Sequence, residues 1–255
     1  MIWKWFWKAP AAFTPPPVWV DIHTHIVPGI DDGAGDMDVT GAMLAAATRV
    51  GVTHVIATPH YNERYRSSDD HVVALFDRVR ELRERIAPSL RLALGREVSF
   101  TDVHLEDVQC RPTLRLAGGA YVLVELPEGL NESAIIEGCF ALVVAGVRPI
   151  IAHPERNWYV QQRPQLLGRL RERNALIQLD APSVMGVHGA AARCAALAAL
   201  ADDQVDIVSS DAHCAEDFNV LQRACARIAD RFGMALVARV VGSTPAQLLA
   251  ETDHS

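Results

Sequence analysis

From residue 18 to residue 232 the chain alternates between short apolar runs and long stretches with helical spacing, joined by polar turns. The apolar runs lie at 18–25, 54–60, 90–99, 121–126, 149–153, 175–180 and 206–211. They are rich in β-branched residues and too short for helices, so they read as seven strands. The intervening stretches at 36–50, 69–87, 133–145, 164–174, 189–201 and 216–232 read as helices. In 69–87, Val73, Phe76, Val79, Leu82 and Ile86 fall at helical spacing, and Pro88 ends the run. Gly51 stops the first helix, 104–110 reads as one short turn, and Thr244-Pro245 reads as an N-cap and first turn of a last helix. Strict strand–helix alternation calls for a parallel sheet covered by helices, in the α/β class. Seven units imply a barrel one unit short of the usual eight, or a distorted one. A single domain over 20–255 follows a tail at 1–19.

The position of the polar residues constrains function. Working residues of α/β barrels sit at the C-terminal ends of strands. Here the first strand ends Asp21-Ile22-His23-Thr24-His25, and the second ends at His60. The third carries Glu97, the fourth ends at Glu125, the fifth at His153, and the seventh runs into Asp211-Ala212-His213. Side chains two apart on a strand share a face, so His23 and His25 aim at one point. Asp211 and His213 repeat that spacing at the other end of the chain. Glu97 and Glu125 close apolar runs, where a carboxylate is costly unless it is paired or bound to metal. Either one alone would be read as an ion pair with a nearby arginine; beside several histidines, metal is the better reading. In the loop at 28–36, Asp36 is the N-cap of the next helix. Asp31 and Asp32 are surplus to that cap, so one of them can reach the site.

This ligand set mixes imidazole with carboxylate and has no plausible thiolate. It suits Mn²⁺, Fe²⁺ or Zn²⁺ and is too rich in nitrogen for a typical Mg²⁺ or Ca²⁺ site. Nine candidate ligands are too many for one ion, so two or three divalent ions are implied. The five cysteines form no CxxC pair and fit a reducing compartment. Cys225 and Arg231 have the Cys-x₅-Arg spacing of a thiol phosphatase, but the segment lacks glycine and has helical periodicity. The net charge of −7 comes with no basic face, which argues against a nucleic-acid partner. The first residues lack the apolar core of a signal peptide, and no stretch has the length of a membrane span. Trp3, Trp5, Phe6 and Trp7 beside Lys4 and Lys8 suit a peripheral membrane or partner contact.

Taken together, DIHTHIVPGIDDG, ATPHY, GREVSF, VELPE, AHPERN and SSDAH resemble the polymerase-and-histidinol-phosphatase (PHP) superfamily. Within it they resemble the bacterial manganese-dependent protein tyrosine phosphatases encoded with capsule and exopolysaccharide synthesis. The resemblance runs in order from Asp21 to His213. It implies a distorted TIM-like (βα)₇ barrel with a trinuclear metal site. It carries over onto His23, His25, Asp32, His60, Glu97, Glu125, His153, Asp211 and His213 as metal ligands, and places Arg156 beside the substrate phosphate. The implied substrate is phosphotyrosine, typically on the tail of a bacterial tyrosine kinase, and the implied setting is the cytoplasm near the membrane. The metal-activated nucleophile would attack phosphorus, with His213 or a water protonating the leaving phenolate. Asp180 departs from the small or amide residue expected there. The stretch 214–218 has no arginine, where relatives often carry a second one. A hydrolase of small phosphate esters and a non-catalytic kinase-binding regulator are the alternatives.

Overall fold

The computed structural model describes residues 13–102 and 104–250. Nine short strands are present: β1 (Val20–Thr24), β2 (His54–Ala57), β3 (His60–Tyr61), β4 (Arg91–Leu94), β5 (Glu97–Ser99), β6 (Tyr121–Glu125), β7 (Arg148–Ala152), β8 (Leu176–Asp180) and β9 (Ile207–Ser209). Around them lie α1 (Met37–Val50), α2 (Asp69–Ile86), α3 (Leu105–Cys110), α4 (Glu132–Val144), α5 (Trp158–Gln162), α6 (Gln165–Arg171), α7 (Ala181–Met185), α8 (Gly189–Ala201), α9 (Ala215–Phe232), α10 (Met234–Ala238) and α11 (Thr244–Ala250).

All the paired strands are parallel, in two sheets ordered β1-β2-β4 and β3-β5-β6-β7-β8-β9. The nine strands correspond to the seven expected ones, because two of those are interrupted. The second breaks between β2 and β3 at Thr58-Pro59, where proline has no N–H for the ladder. The third breaks between β4 and β5 at Gly95-Arg96. A Cβ on Gly95 would lie 2.9 Å from Leu116 Cδ2 and 3.0 Å from Leu116 Cα, so only glycine lets the segment at Leu116 pack there. The first and last strands meet as well. A bridge joins Thr24 to Ala212, the His25 amide donates to the Ala212 carbonyl at 2.8 Å, and the Asp211 amide donates to the His23 carbonyl at 3.1 Å. The fold is a distorted (βα)₇ barrel.

Three apolar clusters hold it among the described residues, one of them around Val98, Val122, Val124 and Leu142. Val20, Ile22, Ile56, Leu123, Ile150 and Ile207 fill the barrel, joined by Leu248 of α11. A larger layer, including Trp19, Met43, Leu44, Phe218 and Leu221, lies between strands and helices. Truncating a fully buried residue such as Ile150 to alanine costs about 2–5 kcal/mol by the usual cavity rule.

The helix boundaries follow local chemistry. Asp36 Oδ1 accepts the Asp38 and Val39 amides at 3.0 and 2.9 Å, and Gly51 ends α1 in the left-handed region at φ 101°. Some expectations need correction. The buried stripe of α2 is Val72, Phe76, Val79 and Leu82, whereas Val73 and Ile86 are 39% and 42% exposed. The stripe starts one residue earlier than the apolar spacing indicated, which turns Val73 outward. Thr244 is no N-cap: its helical φ −65° and ψ −56° continue a π-helical turn over Arg239–Ser243 straight into α11. The short α5, α7 and α10 fall outside the expected helices. No described helix is long and apolar enough to cross a membrane. The aromatic residues expected to touch a membrane lie outside the described residues.

Candidate metal centre and active site

One irregularity sets up the site. Val20 and Asp21 pair with His54 and Val55, but Thr24 pairs with Ala57, so β1 carries one extra residue. This bulge changes the alternation. Ile22 joins the inner apolar layer, and His23, next in sequence, reaches across the barrel mouth to Glu97 and Gln178. At the far side, His153 and Asp211 adopt left-handed backbone conformations, φ 33° and 51°. Such conformations are uncommon outside glycine, are held at some energetic cost, and concentrate at functional sites.

The hydrogen-bond logic of the His23–His25 pair is over-determined. Gln178 Nε2 donates to Asp180 Oδ1 at 3.1 Å, which turns Gln178 Oε1 toward His23 Nδ1 at 3.1 Å. His23 therefore carries its proton on Nδ1. His25 Nδ1 donates to Asp31 Oδ2 at 2.8 Å. The two Nε2 atoms, 3.3 Å apart, then face each other with lone pairs. Glu97 Oε2 lies 3.2 Å from His23 Nε2 and 3.5 Å from His25 Nε2, and Asp211 Oδ1 lies 3.2 Å from both. Glu97 Oε2 and His60 Nδ1 are 2.9 Å apart, yet both are buried without a hydrogen-bond partner. Acceptors converging on acceptors in a buried pocket call for positive charge between them, supplied by metal ions or by added protons. The residues present fit divalent metal ions.

The nine residues expected as ligands surround this pocket in overlapping groups. His23, His25, Glu97 and Asp211 form the buried centre; His25, Asp32, His60 and His213 form one flank; His60, Glu97 and Glu125 form another. His153, Asp180 and Asp211 form a fourth group. His153 Nε2 is 2.8 Å from Glu97 Oε1 and 4.0 Å from Glu125 Oε1. The two loop aspartates stand in different places. Asp31 holds His25 and accepts the Gly33 and His60 amides, while Asp32 Oδ1 stands 3.5 Å from His60 Nε2 and 3.6 Å from His213 Nε2.

His213 cannot fill both roles expected of it. Its Nδ1 donates to the Asp211 carbonyl at 2.8 Å, so Nε2 carries the lone pair. A nitrogen that ligates metal is not available to protonate a leaving group, and the geometry favours the ligand.

The electrostatics agree. Burial disfavours a proton on His23, but the charges of Glu97 and Asp211 outweigh it and raise the ring to about 9. For His153 burial again opposes the proton, and Asp180 and Glu97 raise it to about 10. Burial works to raise Glu97, Asp211 and Asp31, yet the facing imidazoles hold the first two well below the carboxylate range and bring Asp31 to about 2. Without metal the pocket recruits protons, which is the response of a site built for positive charge.

Arg156 stands at the rim, one third exposed, and its Nη1 donates to Asp180 Oδ2 at 3.1 Å and Asp211 Oδ2 at 2.9 Å. Among the described residues the remaining guanidinium nitrogens have no hydrogen-bond partner and can meet a phosphate. Beside Arg156 lies a cavity of about 270 Å³, lined by Glu125, Leu126, Glu128, His153, Pro154 and Asn157 among others. A larger hollow of about 570 Å³, among Tyr121, Arg148, Arg171 and Asp206, touches none of the candidate ligands.

Sequence reading missed the supports. Gln178 fixes the His23 tautomer, Asp180 holds Arg156, and buried Arg96 donates to the carbonyls of Pro59 and His60. Asp180 stood out only as an unexpected residue, and Arg96 gave no signal beyond being a charge in an apolar run. The thiol alternative fails: Cys225 is fully buried inside α9, and burial raises its thiol far above the usual range.

The family model for capsular polysaccharide synthesis, CpsB/CapC, matches residues 19–250. The chain is 32% identical over 197 residues to the tyrosine-protein phosphatase YwqE of Bacillus subtilis, covering 76% of this chain and 77% of that protein. It is 27% identical over 200 residues to the tyrosine-protein phosphatase CpsB of Streptococcus pneumoniae, covering 76% and 82%. A crystal structure from work on YwqE and CpsB, described as unique metal-dependent tyrosine phosphatases, superposes with a TM-score of 0.77 at 30% identity over 92% of each chain.

Proposed function

The chain belongs to the CpsB/CapC family of capsular polysaccharide synthesis, and we propose that it is a metal-dependent protein tyrosine phosphatase. The observation that carries this reading is the pair of His23 and His25 Nε2 lone pairs facing each other at 3.3 Å between Glu97 and Asp211, with Arg156 at the rim. We assign His23, His25, Asp32, His60, Glu97, Glu125, His153, Asp211 and His213 as ligands of two to three divalent ions, Mn²⁺ first and Fe²⁺ or Zn²⁺ next. Such ions, when bound, act as Lewis acids and yield a nucleophile from water at neutral pH.

The protein's own groups do the rest. Asp31 and Gln178 hold His23 and His25 in the tautomer that presents Nε2. Arg156, pinned through one nitrogen by Asp180 and Asp211, offers its others to the phosphoryl oxygens and takes up their charge in the transition state. The seat we assign to the tyrosyl ring is the cavity beside Arg156, whose lining includes Leu126 and Pro154. A phenolate is a fairly good leaving group, and with His213 engaged as a ligand its proton comes from solvent.

In this reading the activity resides in one domain, 20–255. The substrate is the tail of a bacterial tyrosine kinase that governs capsular or exopolysaccharide synthesis, in the cytoplasm near the membrane. The aromatic stretch within 1–19 would give a peripheral membrane contact. Relative kcat/KM on a phosphotyrosine peptide and on small esters such as histidinol phosphate tests the substrate class. A preference of tenfold or more for the peptide supports the reading, and the reverse preference moves the chain to the small-ester hydrolases.

A further inference from the structure

The cavity beside Arg156 has a lip that phosphate hydrolysis does not require. Glu128 lines it, is exposed, and belongs to none of the candidate metal groups. Its Oε1 accepts the amide of Trp158 at 3.2 Å, which ties the loop after β6 to the start of α5. Among the described residues no cation lies within ion-pair distance of Glu128. Trp158 itself is 59% exposed, an unusual position for a tryptophan, because nothing is gained by leaving so large an apolar surface in water.

A carboxylate with no cationic partner among the described residues, hydrogen-bonded to the backbone of a residue whose indole is exposed, is a poor neighbour for a phosphate dianion and a good one for a cation. The carboxylate supplies the charge, and the ring face supplies a cation–π contact. The phosphate of a bound phosphotyrosine is fixed at Arg156, and its ring fills the cavity, so its main chain emerges at the lip. An extended chain advances about 3.3 Å per residue, which brings the side chains one or two positions away within reach of Glu128 and Trp158.

We propose that Glu128 and Trp158 form a recognition lip for a lysine or arginine flanking the phosphotyrosine of the substrate protein. This rests on the phosphatase reading above and adds a sequence preference to it: basic flanks are favoured, and acidic flanks are repelled by Glu128.

Matched phosphotyrosine peptides carrying Lys, Gly or Glu beside the phosphotyrosine, together with free phosphotyrosine, test it on the full chain with Mn²⁺. The expected order of kcat/KM is Lys above Gly above Glu. One exposed ion pair gained and one repulsion relieved separate the extremes by about fivefold to tenfold. Glu128→Lys inverts the order, Glu128→Gln flattens it, and Trp158→Ala reduces the advantage of the Lys peptide. Equal rates on all three peptides, or an order unchanged in Glu128→Lys, overturn the lip while leaving the phosphatase reading in place. Hydrolysis of neither peptides nor free phosphotyrosine removes both.

Discussion

Arg96 donates from Nη2 to the carbonyl of His60 at 3.0 Å, from a position with no solvent exposure. Its Nε holds the carbonyl of Pro59 at 3.1 Å, so one guanidinium closes the gap between β2 and β3 and fixes the backbone of a candidate ligand. The amide of the same residue is held from the other side by Asp31. A buried arginine is expensive, and Nη1 has no partner, so the gain is in the placement of His60 rather than in stability.

Arg96→Met is expected to remove the side-chain donor from the His60 carbonyl, while the Pro59 carbonyl keeps the Glu97 amide at 3.3 Å, at a cost of about 1–3 kcal/mol, and to weaken Mn²⁺ binding about tenfold. Arg96→Lys, with a single ammonium, should fall between the two. Thermal denaturation and metal titration of the variants measure both effects.

Asp31 sets the tautomer of His25 without being a ligand in this account. Asp31→Ala should lower metal affinity by about 10- to 100-fold, the usual effect of removing the partner of a metal-bound histidine, with a small effect on the metal-free fold. Asp32→Ala, which removes a proposed ligand at the exposed flank, should cost one metal equivalent instead. Equilibrium dialysis with elemental analysis separates loss of affinity from loss of stoichiometry.

The metal-free protein should respond to pH with a definite sign. His23 and His153 are raised above the ordinary imidazole value, to about 9 and about 10, because nearby carboxylates outweigh burial. A raised histidine stabilises the fold fully below its unfolded value near 6.5 and loses that contribution as pH climbs through the folded value. The melting temperature of chelated protein is therefore expected to fall between about pH 6.5 and pH 10, and metal-loaded protein should not show that fall. Binding of metal must also expel these protons, so apparent affinity rises with pH over the same window, and calorimetry in buffers of different ionisation enthalpy will register the release.

How far could the sequence be read? The barrel and the residues gathered at its mouth were legible, because strand ends and the HxH and DxH spacings carry their geometry with them. The break at Thr58-Pro59 escapes the sequence reading, in which 54–60 is one strand. The bulge in β1 was not legible: nothing in Ile22-His23 says that two adjacent residues both turn inward. Asp31 and Asp32 could not be told apart from the residues alone, because both are surplus to the Asp36 cap and only the path of the loop decides which touches His25. The roles of Gln178, Asp180 and Arg96 depend on partners 155, 24 and 37 residues away, beyond the reach of local pattern.

Arg156 is held at the rim by Asp180 and Asp211. Arg156→Ala should lower kcat about 10²- to 10³-fold with metal content unchanged, and Arg156→Lys should recover little, since a point charge cannot satisfy Asp180, Asp211 and a phosphate together. Asp180→Asn, which loosens the arginine without removing it, is expected to raise KM more than it lowers kcat. Steady-state kinetics on a phosphotyrosine peptide give both ratios.

The most direct test is to strip the protein with chelator, add Mn²⁺ stepwise, and record bound metal and phosphotyrosine-peptide turnover on the same samples, with His23→Ala in parallel. The account predicts negligible turnover without metal, a rise to full activity as two to three equivalents bind, and neither tight binding nor turnover in the variant. Full turnover in exhaustively stripped protein, or activity abolished by Cys225→Ala and untouched by His23→Ala, would contradict it.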